Sequence, residues 1–404
     1  MYRIGFGDCF LVSLPVSPGS NSSETHRHLL FDCGVHARGD IGTMKQAVDN
    51  IAEITGKKLA VVVASHAHQD HISGYDKFSD VFTTFDIDEI WLPWTWDPDN
   101  KKAVKLQKSQ SALTAQLVDH YNALGATADP EVLEAVENLK GNAHAIALLK
   151  AGFAVNAQVR YLTAGDSVKK PANIPGLTVR FLGPPQSEEF LAQMDPPKGQ
   201  HYLRMGPGGA ETANGIKPFV DKWVVQDSSN VKLDAEDEKK LHEVANNPLD
   251  SLAFALDQAR NNESVVALLI YKGQYLLFPG DAQYGNWRWW LENEQSEEVL
   301  SQISFFKVSH HGSLNATPKG ALEKMSDGQF AAMVSTQSTP WKSIPKVPLM
   351  ERLDEKTKKR IVRSDWLKLQ GAPGPLAGAA PKMPSTLPKG FSQGAFWYDY
   401  LIRT

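Results

Sequence analysis

Three histidines and one aspartate crowd residues 66–71, in the stretch SHAHQDHISG that follows the apolar run LAVVVA. Imidazole nitrogens and carboxylate oxygens are the ligands that borderline divalent metals such as zinc and manganese take. His66 and His68 stand two apart, so on an extended segment they project to one side. Asp70 and His71 follow on the turn and can reach a second position nearby. One strand end therefore offers two half-sites, His66/His68 and Asp70/His71, as a dinuclear centre with metals roughly 3.5–4 Å apart requires. A lone histidine after a strand is ordinarily a surface or capping residue, whereas this density of ligand types argues for metal.

Further ligands must come from elsewhere in the chain. FPGDAQ places Asp281 at the end of an apolar strand, and FKVSHHGS places His310 and His311 at the end of another. Three apolar strands thus end in ligand residues, and sites in layered α/β folds gather at strand C-termini. At least one of His310 and His311 is expected to ligate. The assignment adopted is His310 as ligand and His311 as the group that hydrogen-bonds or protonates substrate, with the reverse left open.

The surrounding pattern supplies the elements that must hold these residues. DCFLVSLPV and RHLLFDCG read as strands, GTMKQAVDNIAEITG as a helix, and LAVVVAS as a strand buried on both faces. DEIWLPW, VRYLTAGD and LTVRFLGPP read as further strands. ESVVALLIYKGQYLLFPGDA reads as a hairpin turning at Lys272-Gly273, and ISFFKVSHHGS, FAAMVST and KRIVRSD continue the β pattern. Residues 98–158 are Ala/Leu/Lys/Gln-rich with helical periodicity, and residues 185–250 are irregular and charged with one helix near AEDEKKLHEVANN. Both are read as insertions into a hydrolase domain spanning 1–370. Residues 371–404 are read as a Pro/Gly-rich tail in which FWYDYLI closes the sheet. The expected fold class is α/β.

HAHQDH resembles the H-x-H-x-D-H signature of the metallo-β-lactamase fold superfamily. More narrowly, the chain resembles the hydrolase domain of ComEC-type competence proteins. RIGFGDCFLV is similar to that family's opening G-x-G-D strand and LLFDCG to its following I-D-x-G. NNESVVALLIYKGQYLLFPGDA is similar to its N-N-x-S strand, hairpin and G-D, and FFKVSHHGS to its K-V-x-H-H-G-S. The resemblance covers residues 1 to about 365 apart from the two insertions. It implies an αββα sandwich with two divalent ions, zinc or manganese, held by His66, His68, Asp70, His71, Asp281 and His310. Many superfamily members place one more histidine before the bridging aspartate. Here His120, His144 and His201 are candidates, none in a strand-end context, and Asn261, Asn262 and Ser264 lie where that ligand is expected.

The implied activity is a metal-dependent hydrolase, a phosphodiesterase or nuclease in which hydroxide generated on the metals attacks a phosphoester. Asp281 would bridge the ions, Asp70 would ligate and orient the hydroxide, and Ser313, Asn315 and Asn262 would contact substrate. Asp8 and Asp32 would orient ligand histidines. The alternative is a small-molecule phosphoester hydrolase of the phosphorylcholine esterase type. Trp94/Trp96 and Trp287/Trp289/Trp290 flank the expected site, and aromatic rings hold quaternary ammonium groups or stack on bases. Simple packing of these rings is the competing reading.

Composition narrows the setting. A net charge of −4 over 404 residues disfavours a chain coated in nucleic acid while leaving room for a local basic groove. Two cysteines are too few for a disulfide framework, which points to a reducing compartment. No apolar run approaches the roughly 20 residues of a membrane span. Asp8 interrupts the N-terminal apolar stretch, so that segment reads as a strand of a cytoplasmic protein.

Overall fold

The computed structural model describes residues 1–17, 24–36, 41–124, 142–154, 157–197, 199–202, 256–293, 295–337, 344–366 and 386–403, together with positions 133, 135, 136 and 139. The protein is a mixed α/β structure built on two large sheets. The first runs β1 (Cys9–Pro15), β2 (His26–Cys33), β3 (Lys58–Val63), β4 (Asp86–Pro93) and β5 (Gln158–Leu162) in spatial order. Its first pair is antiparallel and the remaining pairs are parallel. The second has seven strands. From one edge these are β12 (Ile361–Arg363), β11 (Ala331–Val334), β10 (Ile303–Lys307), β9 (Gln274–Phe278), β8 (Val266–Tyr271), β7 (Leu177–Gly183) and β6 (Ser167–Lys169). Strands β9 to β12 are mutually parallel.

One hydrophobic cluster joins the two sheets. Leu29, Phe31, Val61, Val63 and Trp91 of the first share it with Val179, Phe181, Leu277 and Phe306 of the second. Phe31 and Phe278 stack across the divide with ring centroids 4.2 Å apart. The opposite face of the first sheet, through Leu30, Leu59, Val62 and Ile90, packs on α1 (Met44–Thr55) and α2 (Gln69–Lys77). This accounts for the continuous apolar run in β3, where every residue after Lys58 is buried. Each such valine contributes roughly 1.5–3 kcal/mol by leaving water.

Thr43 and Gln46 form a capping box that starts α1, and Gly56 in the left-handed conformation ends it. The β8–β9 hairpin turns at Lys272 and Gly273, both at positive φ, as the sequence pattern required. The parallel arrangement has one consequence for chemistry. It brings the C-terminal ends of β2 and β3 together on one sheet, and those of β9, β10 and β11 together on the other.

Two sequence expectations change. FWYDYLI does not close a large sheet: β14 (Tyr398–Tyr400) pairs with β13 (Phe391–Gln393) in a separate two-stranded sheet. Asp70 and His71 lie in the first turn of α2 rather than on an irregular turn. The tryptophan-rich stretch after Asp281 is helical, α7 (Tyr284–Asn293), preceded in chain order by α3 (Ser79–Phe82), α4 (Lys101–Leu124), α5 (Ala143–Lys150) and α6 (Glu188–Leu191). The expected helix near AEDEKKLHEVANN and the tail at 371–385 lie outside the described residues.

Candidate metal centre

The loops leaving β3, β9 and β10 deliver their ligand-type residues to one place. Nitrogen or carboxylate oxygen atoms of Asp70, His71, Asp281 and His311 all lie within 4.8 Å of one another, and all four residues are buried. His311 Nε2 stands 3.0 Å from Asp70 Oδ2 and 3.2 Å from Asp281 Oδ2. His71 Nε2 stands 3.1 Å from the same Asp281 oxygen and 3.7 Å from Asp70 Oδ2.

The close approach of backbones explains two glycines. At Gly34 a Cβ would lie 2.3 Å from the carbonyl carbon of His71, so only glycine lets the end of β2 pass the start of α2. Gly280 adopts φ +57, and its Cβ would meet Ser65 Cβ at 2.8 Å. The Pro-Gly-Asp turn is thereby pressed against the loop that carries His66.

Outer partners set the tautomers. His71 Nδ1 donates to Asp32 Oδ2 at 2.8 Å, and His311 Nδ1 donates to the Ser335 carbonyl at 2.8 Å. A carbonyl and a carboxylate only accept, so the Nε2 atoms of both rings are left to face Asp70 and Asp281. In the neutral rings those atoms are lone pairs. His71 Nε2 is buried with no hydrogen-bond partner among the described residues. Four acceptors then converge with no proton to share, and such a group needs either added protons or a cation. Without metal, protons fill that need. Burial opposes charge on His311, yet Asp281 and Asp70 outweigh it and push the imidazole up to about 10. His71 is raised well above its ordinary value, with burial opposed chiefly by Asp281, Asp70 and Asp32. Burial works against ionised Asp70 and Asp281, but His71 and His311 beside them hold both carboxyls well below the usual range.

Beside this group sit His66 and His68. His66 Nε2 faces His68 Nδ1 at 3.0 Å, and the His66 and His71 ring centroids are 4.2 Å apart. Burial, reinforced by His71 and His68, lowers the His66 pKa well below its ordinary value and keeps it neutral. Ser65 ties the two halves together. Its N–H and hydroxyl donate to Asp32 Oδ1 and Oδ2, each at 2.7 Å, and its hydroxyl oxygen lies 3.0 Å from His66 Nδ1.

The placement of several expected residues differs from the sequence reading. His311 joins the cluster, whereas His310 Nε2 is 3.9 Å from Asp281 and its side chain is 17% exposed. The structure thus brings into the group His311, the residue assigned to substrate, and leaves His310 at its edge. His310 and His311 take φ 45 and 52, a left-handed pair ahead of Gly312 that turns both rings inward. Asn262 is wholly engaged in structure. It donates to the carbonyls of Leu191 and Gln193 and accepts from the Gln283 N–H. Ser313 donates to Asn315 at 2.9 Å, the plain-turn arrangement. Asp8 and Asp32 stand behind the histidines as expected, Asp8 3.7 Å from both His71 Nδ1 and His311 Nδ1.

The tryptophans pack rather than line an opening. Trp94, Trp96, Trp287 and Trp290 are 1–4% exposed, and Trp289 packs against the inter-sheet core. The described His120, His144 and His201 belong to neither acidic-histidine group, and His144 pairs with Asp76 at the surface.

Lys307, the last residue of β10, lies in the FFKVSHHGS motif but was given no role by the sequence reading. It is buried, pairs closely with Asp8, reaches Asp281 Oδ1 at 3.2 Å and donates to the Gly280 carbonyl at 2.8 Å. Burial disfavours its charge, but Asp8 and Asp281 raise its pKa above the ordinary lysine value. The signal was present: a lysine ending an apolar strand is almost never buried unless paired. Asp281 thus gives Oδ1 to Lys307 and Oδ2 to the histidines. No family of known proteins matches the chain, and no curated protein matches it either.

Proposed function

We propose that this protein is a metal-dependent hydrolase of phosphoesters, a phosphodiesterase or nuclease, on the αββα arrangement of the metallo-β-lactamase fold. The observation that carries the reading is the convergence of Asp70, His71, Asp281 and His311 acceptor atoms within 4.8 Å in a buried site. Outer partners already engage the far nitrogens of both rings there. The donor set of imidazole and carboxylate fits zinc or manganese. The order of the sequence motifs that resemble the ComEC-type hydrolase domain supports the same reading.

In this reading Asp70, His71, Asp281 and His311 hold one ion, and His66 and His68 hold a second. Bound divalent cations supply Lewis-acid activation of water and neutralise charge developing on phosphoryl oxygens. Asp32 and the Ser335 carbonyl hold the His71 and His311 rings in register. Lys307 holds Asp281 by its outer oxygen and balances the buried negative charge. His310 is the histidine left free to meet substrate. Burial lowers its pKa to about 4, so at neutral pH it offers a hydrogen bond from a neutral ring rather than a proton.

The small-ester alternative drew on the tryptophans as an aromatic cage, and their burial removes that support. The test is metal content after reloading, paired with turnover of single-stranded DNA, double-stranded DNA, a generic phosphodiester and phosphorylcholine. We expect up to two transition metals per chain and metal-dependent phosphodiester cleavage. Binding to single strands should weaken with salt at a log–log slope near −0.7 per phosphate contact. Protein that takes up no metal under any loading condition overturns the reading.

A further inference from the structure

Asn142 stands immediately before α5, at the N-cap, where an asparagine side chain ordinarily accepts from an N–H of its own first turn. It makes no such bond, and its backbone, at φ −97 and ψ 3, lies outside the extended region that a capping residue uses. The side chain is spent elsewhere. Its amide donates to the Ala67 carbonyl at 2.6 Å, 75 positions earlier in the chain. A carbonyl only accepts, so the NH2 end of the amide is the one that faces it. Asn142 is buried, and Ala67 is the residue that links His66 to His68. A good capping residue is thus diverted from its helix to the loop that carries both histidines.

The helix that carries Asn142 is firmly seated. Ala145, Leu149 and Phe153 are wholly buried and share a hydrophobic cluster with Ile72 and Tyr75 of α2 and Phe82 of α3. The Phe153 ring centroid lies 5.8 Å from that of Tyr75 and 5.4 Å from that of Phe82. α2 is the helix whose first turn holds Asp70 and His71. α5 therefore belongs to the same packed body as the four-residue half, and Asn142 ties the His66/His68 loop to that body. Other backbone restraints act at the ends of the loop. The Ser65 N–H donates to Asp32, and the Ser65 carbonyl accepts from the Val265 N–H at 2.9 Å. The His68 carbonyl accepts from the His71 and Ile72 N–H groups as α2 begins. Between those ends, among the described residues, the bond to Asn142 is what holds the backbone. That backbone sets how His66 Nε2 faces His68 Nδ1, now 3.0 Å apart.

We propose that Asn142 is a positioning residue. By holding the Ala67 carbonyl it fixes the spacing of the His66 and His68 ring nitrogens, and with it the affinity of that half for a divalent metal. The proposal rests on the metal reading above and adds to it a role for the first insertion, which braces one half of the centre from outside the strand-end motifs.

The experiment uses the full chain and an isosteric change. Asn142→Asp keeps the size and the capping ability of the side chain but puts an ionised acceptor where the donor stood, so the bond to the Ala67 carbonyl is lost. Hydrogen exchange of metal-free protein reports the loop and α5 separately, and a Co(II) titration followed by absorption and calorimetry reports each metal equivalent. Wild-type protein should bind two equivalents. The variant should weaken one of them by about 10–100-fold and leave the other unchanged, the range seen when outer partners of ligands are lost. Exchange should quicken in the His66/His68 loop and stay as it was in α5. If that variant does not fold, Asn142→Ser, an equally good cap whose hydroxyl ends one bond short of the amide nitrogen, carries the same test. Wild-type protein that binds no Co(II) overturns the metal reading and this proposal with it. Wild-type protein that binds Co(II), beside a folded variant with unchanged affinities, overturns this proposal alone. Equal loss at both equivalents with faster exchange through α5 does so too, since it marks a residue that only docks the helix.

Discussion

The two halves of the centre are built by different means. The Asp70/His71/Asp281/His311 half is assembled from strand ends and the first turn of α2, and its charges are balanced inside the core by Lys307, Asp8 and Asp32. The His66/His68 half has two histidines from one loop; Asn142 of the first insertion holds the peptide between them, and Asp257 Oδ1 stands 3.2 Å from His68 Nε2. A half tied to the core is as rigid as the sheets. A half finished by inserted segments is as firm as the docking of those segments, and it can differ in occupancy without disturbing the fold.

The largest expected effect is at Asp281, which touches His71, His311 and Lys307 at once. Asp281→Ala should abolish phosphodiester turnover and empty the four-residue half while circular dichroism stays native. Full activity in a folded variant would reduce the Pro-Gly-Asp element to a turn.

Next is Lys307→Met, which leaves Asp8 and the outer oxygen of Asp281 buried without their cation. Breaking a buried charge pair costs about 3–5 kcal/mol, readable by chemical denaturation. A change below 1 kcal/mol would show that the core half does not depend on internal charge balance.

Asp32→Asn sharpens the contrast, because Asp32 serves both halves through His71 and Ser65. Both metal equivalents should weaken, each by about 10–100-fold. Selective loss at a single equivalent would sever the link through Ser65.

The pH dependence of metal-free protein separates the core half again. His71 and His311 have folded pKa values raised above the ordinary 6.5, His311 to about 10. Their stabilisation is fully present below about pH 6.5 and is lost as pH rises through the folded values. Asp70 and Asp281 are lowered, so theirs is present above about pH 3.8 and lost as pH falls through the folded values. Thermal melting of metal-free protein should therefore decline from neutral toward alkaline pH. Metal loading should flatten that decline and release protons measurable by calorimetry. An unchanged slope after loading would place the metal elsewhere.

The smallest effect is expected at Ser313→Ala, whose hydroxyl meets Asn315 alone among the described residues. Stability should move by less than about 0.5 kcal/mol and the Michaelis constant not at all. A several-fold rise in that constant would restore Ser313 as a substrate contact.

The HAHQDH stretch, Asp281 and the histidine pair were legible because their types and their positions after apolar runs are local facts. So was most of the β framework, since alternation and continuous apolar runs report burial directly. Local pattern also carried Asp8 and Asp32 as outer partners, through their places beside strand ends. The role of His311 over His310 was not legible. Adjacent residues share one sequence context, and only two successive left-handed backbone conformations decide which ring turns toward Asp70. The sequence left the tryptophans open between packing and lining the site, because nearness in sequence to Asp281 says nothing of direction, and α7 turns Trp287 and Trp290 into the core. Asn262 stood in a motif, yet its amide is consumed by the carbonyls of Leu191 and Gln193, about 70 residues away. Asp257 carried no sequence signal at all. It stands 3.2 Å from a histidine 189 positions earlier, a distance that only tertiary packing creates. What the chain determined by itself was the ligand inventory and the strands that carry it. What tertiary structure decided was proton placement and charge balance, because both depend on which acceptors meet in space rather than on which residues are neighbours in the chain.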